Sequence, residues 1–335
     1  MNVLIDIHHH DLFRSLNILF YSRLGCTIYI PYGIEWNTEF KYANYPNVDA
    51  RHQYLTHVKN WLNNGQDLSN VKFLTLDEYK DINIDIHVAS ITENAVAFYA
   101  ASKFYDKKTK HIFQAGNNFD PSLFPDIIVN LMSSSTIVYQ LSKSKNKCFY
   151  HQEFDLNYFK PVFCSNIKSI YSIQHYFGTG THPYALDYSL FLKIKDHLPS
   201  FDMACYGCGN ERGPISNTPK YMGDFYENTG FIFHVKPQGD GYGHIYHNSY
   251  ACGKPVIYKS EYLKSYSIDM TPMMLFDDET SIDLSRLSFN DAVDKIKIFS
   301  EDYQNVSNKV YAKFKQVVDF DKEFLIIKSF IDNLI

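Results

Sequence analysis

Between two short apolar runs, Phe231 to Val235 and Pro255 to Tyr258, the chain reads Lys-Pro-Gln-Gly-Asp-Gly-Tyr-Gly-His-Ile-Tyr-His-Asn-Ser-Tyr-Ala-Cys-Gly-Lys over residues 236–254. Gly239, Gly241 and Gly243 let the backbone approach a ligand closely, and the short helix closed by Gly253 begins with N–H groups that have no intrahelical partner. Its dipole favours negative charge at that end, so a diphosphate fits over Gly243 and His244. Asp240 in the loop and Asn248 on the helix then offer hydrogen bonds to sugar and ribose hydroxyls. The same glycines also suit a plain strand-to-helix turn. The strand-loop-helix setting that phosphate binding requires is what favours a ligand.

Other polar clusters follow strands. His8-His9-His10 comes after the first apolar run, at the edge where open α/β sheets bind ligands. One of these imidazoles, with a pKa near working pH, can contact an acceptor or serve as general base, His9 foremost. The alternatives are an exposed polar loop or a metal site, and three consecutive residues cannot all converge on one ion. Gly178-Thr179-Gly180-Thr181-His182 offers hydroxyls and amides to phosphate or sugar, or makes a turn before a helix. Asn117, in Gln114-Ala-Gly-Asn-Asn118, and Ser133-Ser134-Ser135, which reads as a flexible polar strand end, both belong to candidate acceptor-side loops. Cys205-Tyr-Gly-Cys208 has no partner pair at zinc spacing, and Glu211-Arg212 reads as a surface ion pair.

The elements that must position these residues alternate. Val3 to Ile7 reads as a strand, Leu12 to Leu24 carries leucines at helical spacing, Gly25 stops that helix, and Cys26 to Ile30 is a second strand. Ile82, Ile84, Ile86 and Val88 alternate as a strand, and Glu93 to Lys107 follows as a helix. The runs 111–114 and 126–130 complete a parallel sheet covered on both faces. A second series starts at Ile167 and continues through the helix 184–197 and the strands 201–206, 231–235 and 255–258. Near the C-terminus, Phe324, Ile327, Ile331 and Leu334 share one helical face.

The 335 residues accommodate two α/β domains, and 45% hydrophobic with 21% charged residues places the chain in the globular class. A net charge of −5 gives no whole-surface argument for a polyanionic partner. The N-terminus lacks the pattern of a secretion signal and no apolar run is long enough to cross a bilayer, so a cytoplasmic location is expected. Six scattered cysteines are expected to be free thiols.

Residues 239–257 resemble the donor-site motif of family 4 glycosyltransferases of the GT-B fold. In that motif an acidic residue precedes Gly-aromatic-Gly, a second acidic residue follows eight positions on, and Ala-Cys-Gly-Lys/Thr-Pro-Val comes next. Phe154-Asp-Leu-Asn-Tyr-Phe-Lys-Pro161 resembles the interdomain segment of the same family. The resemblance implies two Rossmann-like domains with parallel sheets facing a central cleft. An acceptor-side domain would span 1–158, a nucleotide-sugar domain 159–315, and a helix over 316–335 would return to the first domain. It implies transfer of a sugar from a nucleotide diphosphate donor to a hydroxyl acceptor, a glycan, lipid-linked or modified nucleic acid, with retention and no obligatory metal or cofactor.

By that resemblance Asp240 and His244 orient the donor sugar and Asn248 the ribose. Lys236, Gly241, Tyr242, Gly243, Gly178, Thr179 and Arg212 complete the donor site, and His8, His10 and Asn117 face the acceptor. The chain departs from the family in carrying Asp240 and Asn248 where the family carries two Glu. It also lacks a clear equivalent of the Arg and Lys that neutralise the diphosphate, a task left to Lys236, Arg212 or imidazoles. Two rivals follow: an inverting transferase acting on modified DNA bases, with His8, His9, His10 or Asp120 as base, and an inert sugar-nucleotide-binding protein of the same fold.

Overall fold

The structure is a computed structural model describing residues 1–7, 9–43, 70–216 and 218–335. It divides into two compact units, Met1–Phe154 with Phe320–Ile335, and Asp155–Asp319.

The first unit is built on a parallel sheet of seven strands in the order β3-β2-β1-β4-β5-β6-β7. Its elements run β1 (Asn2–Ile5), α1 (His10–Asn17), β2 (Thr27–Pro31), α2 (Glu35–Phe40), β3 (Val71–Leu74), α3 (Leu76–Asp81), β4 (Ile86–Ala89), α4 (Thr92–Phe104), β5 (Lys110–Ala115), β6 (Asn130–Ser133), α5 (Thr136–Leu141) and β7 (Asn146–Phe149). Val3, Leu4 and Ile5 of β1 and all of β4 are buried, as a central strand covered on both faces requires. The alternation expected from Ile82 therefore does not describe a strand; only Ile86 to Ala89 pairs, and every residue there is inside. The run at 126–130 is also displaced. Ile128 N–H donates to the Pro125 carbonyl at 2.9 Å in a turn, and β6 starts at Asn130.

Local chemistry sets the boundaries. Thr75 and Glu78 form a reciprocal capping box that starts α3, with Thr75 Oγ1 accepting from Glu78 N–H at 3.2 Å. Gly25, at φ +67°, ends the π-helical extension of α1, where Ala would meet the left-handed penalty. Ser133 to Ser135 is a buried, fully bonded segment rather than a flexible one: Ser133 Oγ donates to the Ser135 carbonyl at 2.8 Å and Ser135 Oγ caps α5. Buried Asp6, just after β1, accepts from Ser90 N–H at 2.9 Å and Asn94 Nδ2 at 2.9 Å, tying the β1 and β4 loops together.

The second unit has five parallel strands in the order β14-β11-β10-β8-β9. Its elements are β8 (Ser169–Ser172), α6 (Tyr188–His197), β9 (Asp202–Cys205), α7 (Pro219–Glu227), β10 (Phe231–Phe233), α8 (His244–Ala251), β11 (Val256–Tyr258), a hairpin of β12 (Lys264–Ser265) and β13 (Ile268–Asp269), β14 (Ser281–Asp283), α9 (Phe289–Glu301) and α10 (Tyr303–Val317). The single helix expected over 184–197 is divided, a 3-10 turn at Pro183–Ala185 preceding α6. All six cysteines are free thiols.

The last helix, α11 (Phe320–Asp332), belongs to the first unit, where Ile327, Ile331 and Leu334 enter the core. Its first turn is anchored by charge as well: Glu323 accepts from the backbone of His151 at 2.6 Å and contacts His151 Nδ1 at 2.7 Å. Arg23 grips Glu153 through two bonds of 2.7 Å and reaches Asp321 at 2.8 Å. Among the described residues no helix is long and apolar enough to cross a membrane.

An imidazole pair under α4 makes the first unit sensitive to acid. His87 and His111 are register partners on β4 and β5, with rings 4.9 Å apart. Burial lowers both from the usual histidine value, His111 to about 4, and for His87 the neighbouring His111 adds to the effect. As pH falls, the unfolded chain with imidazoles near 6.5 takes up protons first. Stability is therefore full above about pH 6.5 and is lost progressively down to about 4, by roughly 2–3 kcal/mol for His111 alone. Both tryptophans lie in the first 154 residues, so urea unfolding followed by tryptophan fluorescence should show a midpoint that drops between pH 7 and 5. His111→Gln should flatten that drop by about half; a wild-type midpoint independent of pH would contradict the account.

Candidate functional site

In the second unit the loop after β10 is shaped by close backbone contacts. Gln238 and Gly239 are both left-handed, at φ 69° and 65°, and a Cβ on Gly239 would lie 2.4 Å from the Tyr262 carbonyl oxygen and 2.6 Å from Met270 Sδ. Gly243, at φ 70°, is the N-cap of α8, and a Cβ there would lie 2.5 Å from the Tyr246 ring. No side chain caps α8, so its first amides point at the loop as a helix terminus does wherever anions bind.

Aromatic side chains fasten this loop to the sheet. Tyr242 is buried and stacks on His247 at 4.0 Å between ring centroids, while His247 Nδ1 lies 3.0 Å from the Gly243 carbonyl. Tyr246 donates its hydroxyl to the His234 carbonyl at 3.1 Å and packs edge-on to the His234 ring at 4.8 Å. Gly241 is buried within the loop.

Asp240 is the electrostatic centre. His234 Nε2 lies 2.8 Å from its Oδ2, and Lys236 Nζ donates to its Oδ1. Burial alone would raise the carboxyl pKa; the hydrogen bond and charge of His234, with Lys236, outweigh it and hold Asp240 below the usual carboxylate range. The three side chains differ in exposure: His234 is 2% exposed, Asp240 23% and Lys236 26%. His244 is the first residue of α8 and half-buried. Asn248 follows one turn later on the same face, and its Oδ1 is buried with no hydrogen-bond partner.

The loop after β8 lies beside this one because β8 and β10 are neighbours. Lys236 Nζ stands 5.2 Å from the centre of the Tyr184 ring, joining the two loops. Asn210 organises the β8 loop: its Nδ2 donates to the carbonyls of Gln174 and Tyr206 at 2.8 Å each, and its Oδ1 accepts the Gly178 amide at 2.6 Å. The Gly178 N–H, expected to face phosphate, is thus committed to Asn210. The Thr179 hydroxyl, though exposed, donates to the Tyr176 carbonyl at 2.7 Å. Arg212 is turned away from this edge, toward Asp202 at the start of β9, 3.8 Å distant, with 53% of its side chain exposed. Its sequence neighbour Glu211 accepts from Cys205 N–H at 2.9 Å, so the two do not form the surface pair with each other.

The structure therefore brings together Lys236, Asp240, Gly241, Tyr242, Gly243, His244 and Asn248 on one loop and helix. It turns the Arg212 side chain away from this edge, back along β9 toward Asp202. His234 and Tyr184 escaped sequence reasoning. A histidine inside the apolar run 231–235, six residues before the loop aspartate, is the available signal.

In the first unit, His9 is exposed at the N-cap of α1, and Asn117 is exposed in the loop after β5. Asp120 accepts from Ser122 N–H at 2.9 Å and caps a short turn. His8 lies outside the described residues, and His10 is known only as the first residue of α1. Among the described residues no group of three or more His, Cys, Asp or Glu is placed to hold a metal ion.

Substituting Gly239 tests whether the loop is built as described. Gly239→Ala should cost about 2–4 kcal/mol, combining a left-handed Cβ with overpacking. Near-UV circular dichroism during denaturation reads this out; a variant as stable as the wild type would mean the loop is free to move away from Tyr262 and Met270.

No protein-family profile matches the chain, and no curated protein does. Solved structures do. Anabaena HepE in complex with UDP-glucose superposes with a TM-score of 0.67 at 12% identity, over 100% of both chains. A glycosyltransferase from Rickettsia africae gives 0.67 at 12% identity over 99% of each chain. UDP-GlcNAc 2-epimerase from Neisseria meningitidis, bound to UDP-GlcNAc, gives 0.55 at 12% identity over 99% of this chain and 100% of its own. With two parallel α/β units and full-length superposition on these proteins, the chain has the GT-B fold.

Proposed function

We propose that the chain is a glycosyltransferase that moves a sugar from a nucleoside diphosphate donor to a hydroxyl acceptor. The observation that carries this reading is Lys236 held through Asp240 beside the uncapped start of α8, at the C-terminal edge of β10. That edge is where open α/β sheets take their ligands. The similar HepE structure contains UDP-glucose, which supports a uridine nucleotide as the first donor to try.

In this reading the acceptor hydroxyl adds to the anomeric carbon on the face that the diphosphate leaves, the bond from that carbon to the diphosphate oxygen breaks, and the hydroxyl proton passes to the departing diphosphate. The charge that collects on the departing diphosphate is met by the first amides of α8 and by Lys236, an arrangement fixed before reaction. His244 and Asp240 orient the sugar. Asn248, whose Oδ1 has no partner, accepts from a ribose hydroxyl. These charges and dipoles suffice without an obligatory metal. The likeness of residues 239–257 to family 4 supports retention, and His9 and Asn117, with His8 and His10, are the acceptor-side candidates.

Melting curves with UDP-, GDP-, ADP- and TDP-glucose and their parent diphosphates test the donor site, since a ligand of the native state raises the melting point. At least one should do so, and Lys236→Ala should weaken it about 10–100-fold, as loss of a charged hydrogen bond implies. Release of free nucleoside diphosphate, abolished by Asp240→Ala, then separates transfer from the other readings. An epimerase would keep sugar and nucleotide joined, and an inert binding protein would release nothing. If no nucleotide shifts the melting point, the reading fails.

A further inference from the structure

Resting on that reading, we propose that His234 is the positioning residue of the donor site: it keeps Asp240 in place when Lys236 leaves the carboxylate for a diphosphate. The two oxygens of Asp240 are divided between the two partners, Oδ2 to His234 Nε2 at 2.8 Å and Oδ1 to Lys236 Nζ. The two halves of this clamp are unequally fixed. His234 is 2% exposed, its ring is packed edge-on to Tyr246 at 4.8 Å, and its own carbonyl takes the Tyr246 hydroxyl at 3.1 Å. Lys236 is 26% exposed, on a flexible four-carbon stem, with one flank on the Tyr184 ring.

An arriving diphosphate carries more charge than the carboxylate and lies beside the α8 amides, so it outcompetes Oδ1 for the ammonium. Asp240 would then be a partly buried carboxylate with one oxygen unpaired. Without a second partner such a group swings toward water or rebinds the lysine. With His234 still on Oδ2 it stays, and Oδ1 becomes an acceptor facing the part of the ligand that follows the phosphates, the sugar. Sugar recognition is thereby coupled to phosphate recognition: Lys236 senses the diphosphate, and the freed oxygen senses a sugar hydroxyl.

The coupling separates the two residues experimentally. Calorimetry gives the affinity for UDP and for UDP-glucose, or for the diphosphate and sugar-diphosphate pair that binds the wild type best among the uridine, guanosine, adenosine and thymidine forms. Lys236→Met should lower both affinities together and leave their ratio within about twofold. His234→Leu should move the ratio against the sugar nucleotide by about tenfold, the size of one charge-assisted hydrogen bond. His234→Gln, which retains a donor, should recover the wild-type ratio to within about threefold. Asp240→Asn should reproduce the shift in ratio, and the double variant His234→Leu with Asp240→Asn should add nothing to it.

A His234→Leu protein with an unaltered ratio, or one in which both affinities fall in step, overturns the proposal while the transferase reading stands. Should His234→Leu fail to fold, the His234→Gln and Asp240→Asn proteins still decide: Asp240→Asn with the wild-type ratio overturns it equally. If the wild type binds none of these nucleotides, the transferase reading and this proposal fall together.

Discussion

A parallel sheet covered on both faces can be open to ligands only at its strand ends. In this chain that constraint holds for both sheets, whose central strands are wholly buried. In each unit, ligands can therefore be met only by the segments that leave the strand ends, and by whatever holds those segments still. The loops are held by side chains turned inward. Asp6 ties the β1 and β4 loops, Asn210 ties three backbone groups around β8, and Tyr242 with Tyr246 pins the β10 loop. None of these would be recognised as functional by exposure, yet they decide where the exposed groups stand.

Much of the strand and helix order is legible from apolar runs, because each central strand is short, β-branched or aromatic, and bounded by polar or glycine-rich breaks. The failures have physical causes. Ile82 to Val88 alternates in sequence, but alternation marks a strand with one wet face, and β4 has none. Residues 127–129 are apolar yet closely follow Pro125, where a turn forms before β6 can begin. Three consecutive serines look flexible, whereas here each hydroxyl replaces a backbone partner at the β6–α5 junction.

The site divides the same way. Backbone features were legible: glycines at 239 and 243 announce positive φ, and the latter marks the start of α8, which no side chain caps. Side-chain partnerships were not. The sequence shows His234, Lys236 and Asp240 at spacings of two and four, but only the turn at Gln238 and Gly239 folds the chain so that all three meet. Likewise nothing in the order of residues reveals that Arg212 runs back along β9 to Asp202 or that Asn210 consumes the Gly178 amide.

This asymmetry bears on how a fold survives at 12% identity to its structural neighbours. A helix terminus and a glycine turn depend on backbone geometry, which many sequences satisfy. Charged partners are bound to one another instead. A partly buried carboxylate such as Asp240 is tolerable only with compensating donors, so its acquisition commits positions 234 and 236 as well. His234 directly follows β10, whose residues are all apolar, and is itself buried, which is an expensive place for an imidazole unless it has a carboxylate to meet. The three residues are best understood as one unit, in which each oxygen of the carboxylate has its own nitrogen partner.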